Sequence, residues 1–223
     1  MGNTKKIFFH SLIIAAILFG GCNRRASENA LFEVLKSNTT GLDFANKLTY
    51  TKEFNLFNYM YFYNGAGVGA GDFNNDGLID LFFSANQTDE KLYLNKGNHQ
   101  FRDVTTEAMI PQSDNWTTGV SVADVNNDGL LDIYICTVGK FEYLTGENQL
   151  LICTGIDKNQ VPHYENKAKE YGVNFSGFST MSAFLDYDMD GDLDMFLLNH
   201  SIHQNGTFGE RKNFVGTYSA VSG

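Results

Sequence analysis

The chain is poor in proline, cysteine and tryptophan, with 2, 3 and 1 of each in 223 residues, and it has only 16 Lys and Arg against 26 Asp and Glu. The cysteines and histidines show no zinc-ligand spacing. A formal charge of −10 leaves no basic surface to neutralise phosphates, so a nucleic-acid-binding role is excluded. Charged residues make up 19%, too few for an acidic disordered chain. No H-E-x-x-H, no G-x-S-x-G elbow and no phosphate-cradling G-x-x-x-x-G-K-[ST] occurs. The longest apolar run, Ile7 to Phe19, has 13 residues broken only by His10 and Ser11. A permanent spanning helix needs about 20. What the chain does have is 22 Gly, 19 Phe and 11 Tyr, a composition of strands joined by tight turns.

The N-terminus reads as an address. Lys5 and Lys6 precede the apolar run, which has the length of a secretory h-region. The run ends in Leu18-Phe19-Gly20-Gly21-Cys22. Small residues directly before a Cys resemble the lipobox of bacterial lipoproteins, although the usual Leu three residues before the Cys is here Phe19. The resemblance implies a signal peptide over 1–21, acylation of Cys22 as the new N-terminus, and a polar tether over 22–30. It also implies an exported protein held by a lipid anchor, with the outer membrane or cell surface preferred because Asn23 is not an Asp-type retention signal. Cys136 and Cys153 fall in neighbouring strand-like runs, and either a disulfide or two buried thiols fits them.

From 31 to 223 the chain repeats. Asp72-Phe73-Asn74-Asn75-Asp76-Gly77-Leu78-Ile79-Asp80 aligns without gaps with Asp124-Val125-Asn126-Asn127-Asp128-Gly129-Leu130-Leu131-Asp132. Asp186-Tyr187-Asp188-Met189-Asp190-Gly191-Asp192-Leu193-Asp194 is a third copy. The shared pattern is D-x-[DN]-x-D-G-x-x-D, with starts 52 and 62 residues apart. Gly67-Val68 and Gly119-Val120 precede the first two copies at equal distance. Leu81-Phe82-Phe83, Ile133-Tyr134-Ile135 and Met195-Phe196-Leu197 follow the three. Further strand-like runs lie at 91–95, 101–104, 148–152 and 163–166. Four short strands per unit is the pattern of a propeller blade, so the fold class expected is all-β, a β-propeller of four-stranded blades. The length suggests about three blades and part of a fourth. Leu31, Val34 and Leu35 have the spacing of a short lead-in helix.

The spacing within each copy suits a hard cation. Calcium takes six to eight oxygens at about 2.3–2.6 Å. Side chains at the first, third and fifth places of a tight loop converge: Asp72, Asn74 and Asp76; Asp124, Asn126 and Asp128; Asp186, Asp188 and Asp190. Gly77, Gly129 and Gly191 supply the sharp turn. The seventh residue, Leu78, Leu130 or Asp192, offers a backbone carbonyl, and the ninth, Asp80, Asp132 or Asp194, a closing carboxylate. Up to three Ca²⁺ sites follow; magnesium, which prefers a smaller octahedral shell with several waters, fits less well. An EF-hand needs a carboxylate at loop position twelve and then a helix. That position holds Phe83, Ile135 and Leu197, so the EF-hand fails in all three copies.

These loops, with Tyr63-Asn64-Gly65-Ala66-Gly67-Val68 before the first and Phe178-Ser179-Thr180 before the third, resemble FG-GAP or VCBS-type repeats, the calcium-bearing repeats of integrin α-subunit propellers. Gly41-Leu42-Asp43-Phe44, Gly71 to Gly77 and Leu92-Tyr93-Leu94-Asn95-Lys96-Gly97 are similar to bacterial lipoproteins related to cartilage acidic protein. The resemblance implies a seven-bladed propeller with calcium in its blade loops, and adhesion or recognition of a protein or glycan outside the cytoplasm. Members of that group are usually much longer, so the chain is expected to be an N-terminal fragment of a longer propeller or to close by self-association.

Other residues carry less. Trp116 suits blade packing better than sugar stacking. His200 and His203 lack further patterned ligands and suit a blade edge. An enzyme of the calcium-dependent polysaccharide lyase type would need a base at an open cation site, and His163, Lys140 and Arg211 are the candidates, but nothing in the sequence places them there. The expectation is a binding module and not an enzyme.

Overall fold

The computed structural model describes residues 31–200. The signal segment, Cys22, the tether, His203 and Arg211 lie outside the described residues. The chain divides into two compact units, residues 1–35 and 36–223. In the described part of the first unit, Leu31, Phe32 and Val34 are exposed and no helix forms. The lead-in helix expected there is corrected to a single turn further on, α1 (Ser37–Thr40). Five residues without an apolar surface to cover cannot offset the cost of helix nucleation. Gly41 ends α1 in the left-handed region, φ 77°, and its N–H donates to the Ser37 carbonyl.

The second unit is built of antiparallel sheets. β1 (Val68–Gly71), β2 (Asp80–Phe83), β3 (Lys91–Asn95) and β4 (Phe101–Asp103) form one sheet in that order. β5 (Trp116–Ala123), β6 (Asp132–Val138), β7 (Gln149–Ile156) and β8 (Pro162–Asn166) repeat it. β9 (Ser179–Leu185) and β10 (Asp194–Asn199) pair as a two-stranded sheet. Each acidic loop joins the first strand of a sheet to the second, and a strand, not a helix, follows each loop.

Among the described residues there are thus two four-stranded sheets and a two-stranded third. Residues 41–67 form no strand. They pack on the sheets instead. Tyr93 donates from its hydroxyl to Asp43 Oδ1 at 2.7 Å, and Phe44 stacks on Phe83 with ring centroids 4.9 Å apart. Asn46 donates to Asn86 Oδ1 at 2.7 Å. Phe54, Tyr59 and Phe62 surround Trp116, which is buried. Trp116 is the packing residue the sequence suggested.

The core lies in the seams between sheets. β6 is buried on both faces, and alternation sends its side chains into different seams. Ile133 and Ile135 pack with Phe82, Leu92 and Leu94 of the first sheet. Tyr134 and Cys136 pack with Leu150, Ile152 and Met195 toward the third. Cys153 belongs with Ile133 and Ile135, so the two thiols occupy opposite faces of one sheet, and both are free and buried. Burial pushes the Cys136 thiol up to about 12. The disulfide alternative therefore gives way to two buried thiols.

The leading strands of the three sheets run side by side, and glycines set the spacing. A Cβ on Gly69 would meet the Val122 and Val120 methyls at 2.8 and 2.9 Å. A Cβ on Gly119 would run into the Thr180 carbonyl oxygen. Polar side chains stitch the second seam: Thr118 Oγ1 donates to the Ser179 carbonyl at 2.8 Å and Ser182 Oγ to Ser121 Oγ at 2.8 Å.

Candidate metal centre

The three acidic loops fold on one scheme. In the first, Asp72 takes the N–H of Asp76 on Oδ1 at 2.9 Å and that of Gly77 on Oδ2 at 2.8 Å, while Asp76 Oδ1 accepts from Leu78 N–H at 2.9 Å. In the second, Asp124 accepts from Asp128 and Gly129 at 3.0 and 2.8 Å, and Asp128 from Leu130 at 2.8 Å. In the third, Asp186 accepts from Asp190 and Gly191 at 3.1 and 3.2 Å, and Asp190 from Asp192 at 3.2 Å. The side chain at the first place thus wraps the loop around itself, which brings the third and fifth side chains toward it. The glycine at the sixth place has positive φ in every copy, 86°, 86° and 99°.

The first and second loops hold an Asn at the third place, and its amide bonds the carboxylate at the fifth: Asn74 Nδ2 to Asp76 Oδ2 at 3.1 Å, Asn126 Nδ2 to Asp128 Oδ2 at 2.9 Å. The third loop holds Asp188 there instead. Carboxylate oxygens of Asp186, Asp188 and Asp190 lie within 4.8 Å of one another, and all three residues are exposed. Desolvation, then the charges of Asp190 and Asp194, raise Asp188. The Asp192 backbone N–H holds Asp190 low, and the hydrogen bond and charge of Asp190 in turn raise Asp192. Among the described residues no Lys or Arg forms an ion pair with any loop carboxylate.

The ninth place is set apart. Asp80 is buried and takes the N–H of Phe73 on Oδ2 at 2.9 Å and that of Asn95 on Oδ1 at 2.7 Å. Asp132 does the same with Val125 at 2.9 Å and Cys153 at 2.8 Å. Asp194 accepts from Tyr187 at 3.0 Å. Asp80 and Asp132 thus tie the loop entrance to β3 and β7, whereas Asp194 bonds within its own loop. Burial pushes Asp80 and Asp132 up to about 6 against the pull of those N–H groups. Sequence reasoning assigned the ninth place to ligation and missed this bracing, although an Asp opening the strand after each loop was its visible sign. It also missed the left-handed fourth place, where Asn75, Asn127 and Met189 have φ of 55°, 56° and 62°.

The candidate bases stand elsewhere. His163 Nε2 lies 3.6 Å from Asp157 Oδ2, and Lys140 Nζ lies 6.0 Å from the Phe175 ring centroid. His200 packs its ring 4.0 Å from that of Tyr61 and 4.8 Å from that of Phe178, at the edge of the third sheet. Among the described residues no helix is long and apolar enough to cross a membrane.

Repeated antiparallel sheets with an acidic loop between their first two strands define a class: propeller-like repeat proteins. Residues 72–135 match the family model described as FG-GAP-like repeat, a stretch running from the first acidic loop through the second and into β6. The chain is also similar to cartilage acidic protein 1 from Xenopus tropicalis and from Homo sapiens, each 28% identical over 137 residues, and to that from Mus musculus at 27%. The matched region is 60% of this chain and 20% of each relative, so the chain spans about a fifth of the length of the curated relatives it matches. Together these findings support an FG-GAP-type repeat and, through it, a binding or adhesion module in general.

Proposed function

We propose that this chain is a calcium-binding, membrane-anchored propeller module that recognises a protein or glycan outside the cytoplasm. The observation carrying the cation is the shared hydrogen-bond scheme of three loops whose carboxylates have no Lys or Arg partner among the described residues, together with the approach of Asp186, Asp188 and Asp190 within 4.8 Å. Side-chain oxygens at the first, third and fifth places, the seventh carbonyl, and the spare lone pairs of the ninth carboxylate fit an all-oxygen shell for a hard cation. The third loop carries five carboxylates against three in each of the others and binds most tightly on charge alone. Anchoring through Cys22 rests on the lipobox resemblance.

Calorimetric titration of the calcium-stripped protein tests the cation. Ca²⁺ should bind in preference to Mg²⁺, and Asp186→Ala should remove the tightest phase. Absence of Ca²⁺ heat, or an equal loss from Asp72→Ala, would count against the assignment. The anchor is checked by mass of the N-terminal peptide from membranes: an unmodified Cys22 excludes it.

A further inference from the structure

At the end of the second sheet remote from its acidic loop lies an open polar cleft of about 390 Å³. Ser113 and Asn115 reach it from ahead of β5, Glu147 and Gln149 from the start of β7, and Lys169 and Asn174 from beyond β8. Two of its lining residues hold a buried polar atom without a hydrogen-bond partner among the described residues, Gln149 Nε2 and Ser113 Oγ. Gln149 is 5% exposed. A buried amide nitrogen left so is destabilising unless something accepts from it.

The first sheet is an internal control. Lys91 opposes Phe83 as Gln149 opposes Ile135, and Asp103 opposes Tyr93 as Asn166 opposes Leu151. There the two positions close on each other, Lys91 Nζ to Asp103 Oδ2 at 2.8 Å. In the second sheet Asn166 Nδ2 reaches Gln149 Oε1 only at 3.5 Å, and Gln149 Nε2 is left over. The second sheet has thus exchanged a closed ion pair for a pair of amides with hydrogen-bonding capacity to spare.

The chemistry around that capacity selects a ligand. Amides both donate and accept, and so do hydroxyl groups. Glu147 and Lys169 bring one charge of each sign, so the cleft has no excess for an ion. Glu147 is held by Asn174, whose Nδ2 donates to Glu147 Oε2 at 2.9 Å. Ala168 is the one lining side chain that is purely hydrocarbon, too little for a peptide's apolar anchors. The volume falls within the range of roughly 300–1,000 Å³ usual for small-molecule sites. We propose that this cleft is a saccharide subsite, in which Gln149 Nε2 and Ser113 Oγ bind sugar oxygens and the Glu147 carboxylate accepts from a sugar hydroxyl. The assignment deepens the reading of a recognition module and is independent of its cation and its anchor.

Saturation-transfer NMR on the mature chain, with glucose, galactose, mannose, N-acetylglucosamine and their β-linked disaccharides as probes, tests it. Saturation of at least one probe is expected. Glu147→Gln and Asn174→Ala, both at the surface, should weaken its affinity about tenfold with an unchanged melting midpoint. The same loss should be absent from Lys91→Gln/Asp103→Asn. No transfer to any probe, or an affinity untouched by Glu147→Gln and Asn174→Ala, overturns the subsite. Calcium titration run beside it separates the failures: calcium heat without saccharide transfer overturns the subsite alone, and saccharide transfer without calcium heat overturns the cation alone.

Discussion

A left-handed backbone comes easily to Asn and poorly to Met, because a short polar side chain tolerates positive φ and a long one crowds the carbonyl that follows it. The fourth place of the acidic loops is left-handed in all three copies, and only the third fills it with Met189, which is largely exposed. Met189→Asn should therefore stabilise the fold by about 1 kcal/mol, read as a higher urea midpoint with an unchanged slope. Glu90 is a second residue at odds with its place. It aligns with Asn148, whose Nδ2 donates to Tyr134 Oη at 3.0 Å and to Ser179 Oγ at 2.9 Å. Glu90 is buried, and neither carboxyl oxygen has a hydrogen-bond partner among the described residues. Burial, with some help from Asp89, pushes it from 4.5 to about 7. Between those values the folded chain binds more protons than the unfolded one, so stability falls as pH rises through that window and stays low above it. The loss is on the order of 3 kcal/mol. Glu90→Gln should remove it: urea midpoints at about pH 5 and pH 8 should lie closer together than in the parent. Asp80 and Asp132 titrate in the same direction and persist in the variant, so an unchanged gap would mean that Glu90 plays no part.

At the scale of the strand, glycine decides how closely two sheets approach. Gly119 on β5 lies against Thr180 and Met181 of β9, where any Cβ meets backbone, which cannot move aside as a side chain can. Gly119→Ala should cost about 1–3 kcal/mol, as overpacking does, with the loss visible as a lower melting midpoint. An unchanged midpoint would show that the seam between the second and third sheets is loose. Much of this architecture could be read from the residues. Strand-like runs flanking and following the repeats located β2, β3, β4, β6, β7, β8 and β10, and the nine-residue pattern located all three loops with their turn glycines. Other features could not be read, for physical reasons. Leu31, Val34 and Leu35 have helical spacing, but spacing says nothing about whether a surface exists to receive it. Residues 41–67 carry aromatics that look like strand material, yet they pack around Trp116 without strand pairing. The polar cleft was invisible because Gln149 and Asn166 meet only through strand register, 17 residues apart in the chain.

Across the whole molecule, charge is segregated. The three loops hold eleven carboxylates and no Lys or Arg, while the remainder has 16 basic residues against 15 acidic ones. The net −10 is therefore a property of the loops and not a diffuse surface field. Loop carboxylates a few ångströms apart repel one another in the folded state and relax in the unfolded one, so in the absence of a cation they oppose folding. Salt screens such repulsion over about 10 Å at 0.1 M. In chelator, the melting midpoint should therefore rise as NaCl is increased to about 0.5 M. With calcium in excess the same salt should do little, because the charge is already neutralised within the shell. A single site filled at 100 times its Kd adds about 2.7 kcal/mol, or roughly 5–10 °C for a chain of this size. The test crosses the two conditions in four melts, with and without calcium at low and high salt. If calcium sits in the loops, the salt effect and the calcium effect are less than additive, since both act on the same eleven carboxylates. Full additivity would place calcium elsewhere on the chain, and a flat response to both would mean that the loops fold as turns on their hydrogen bonds alone.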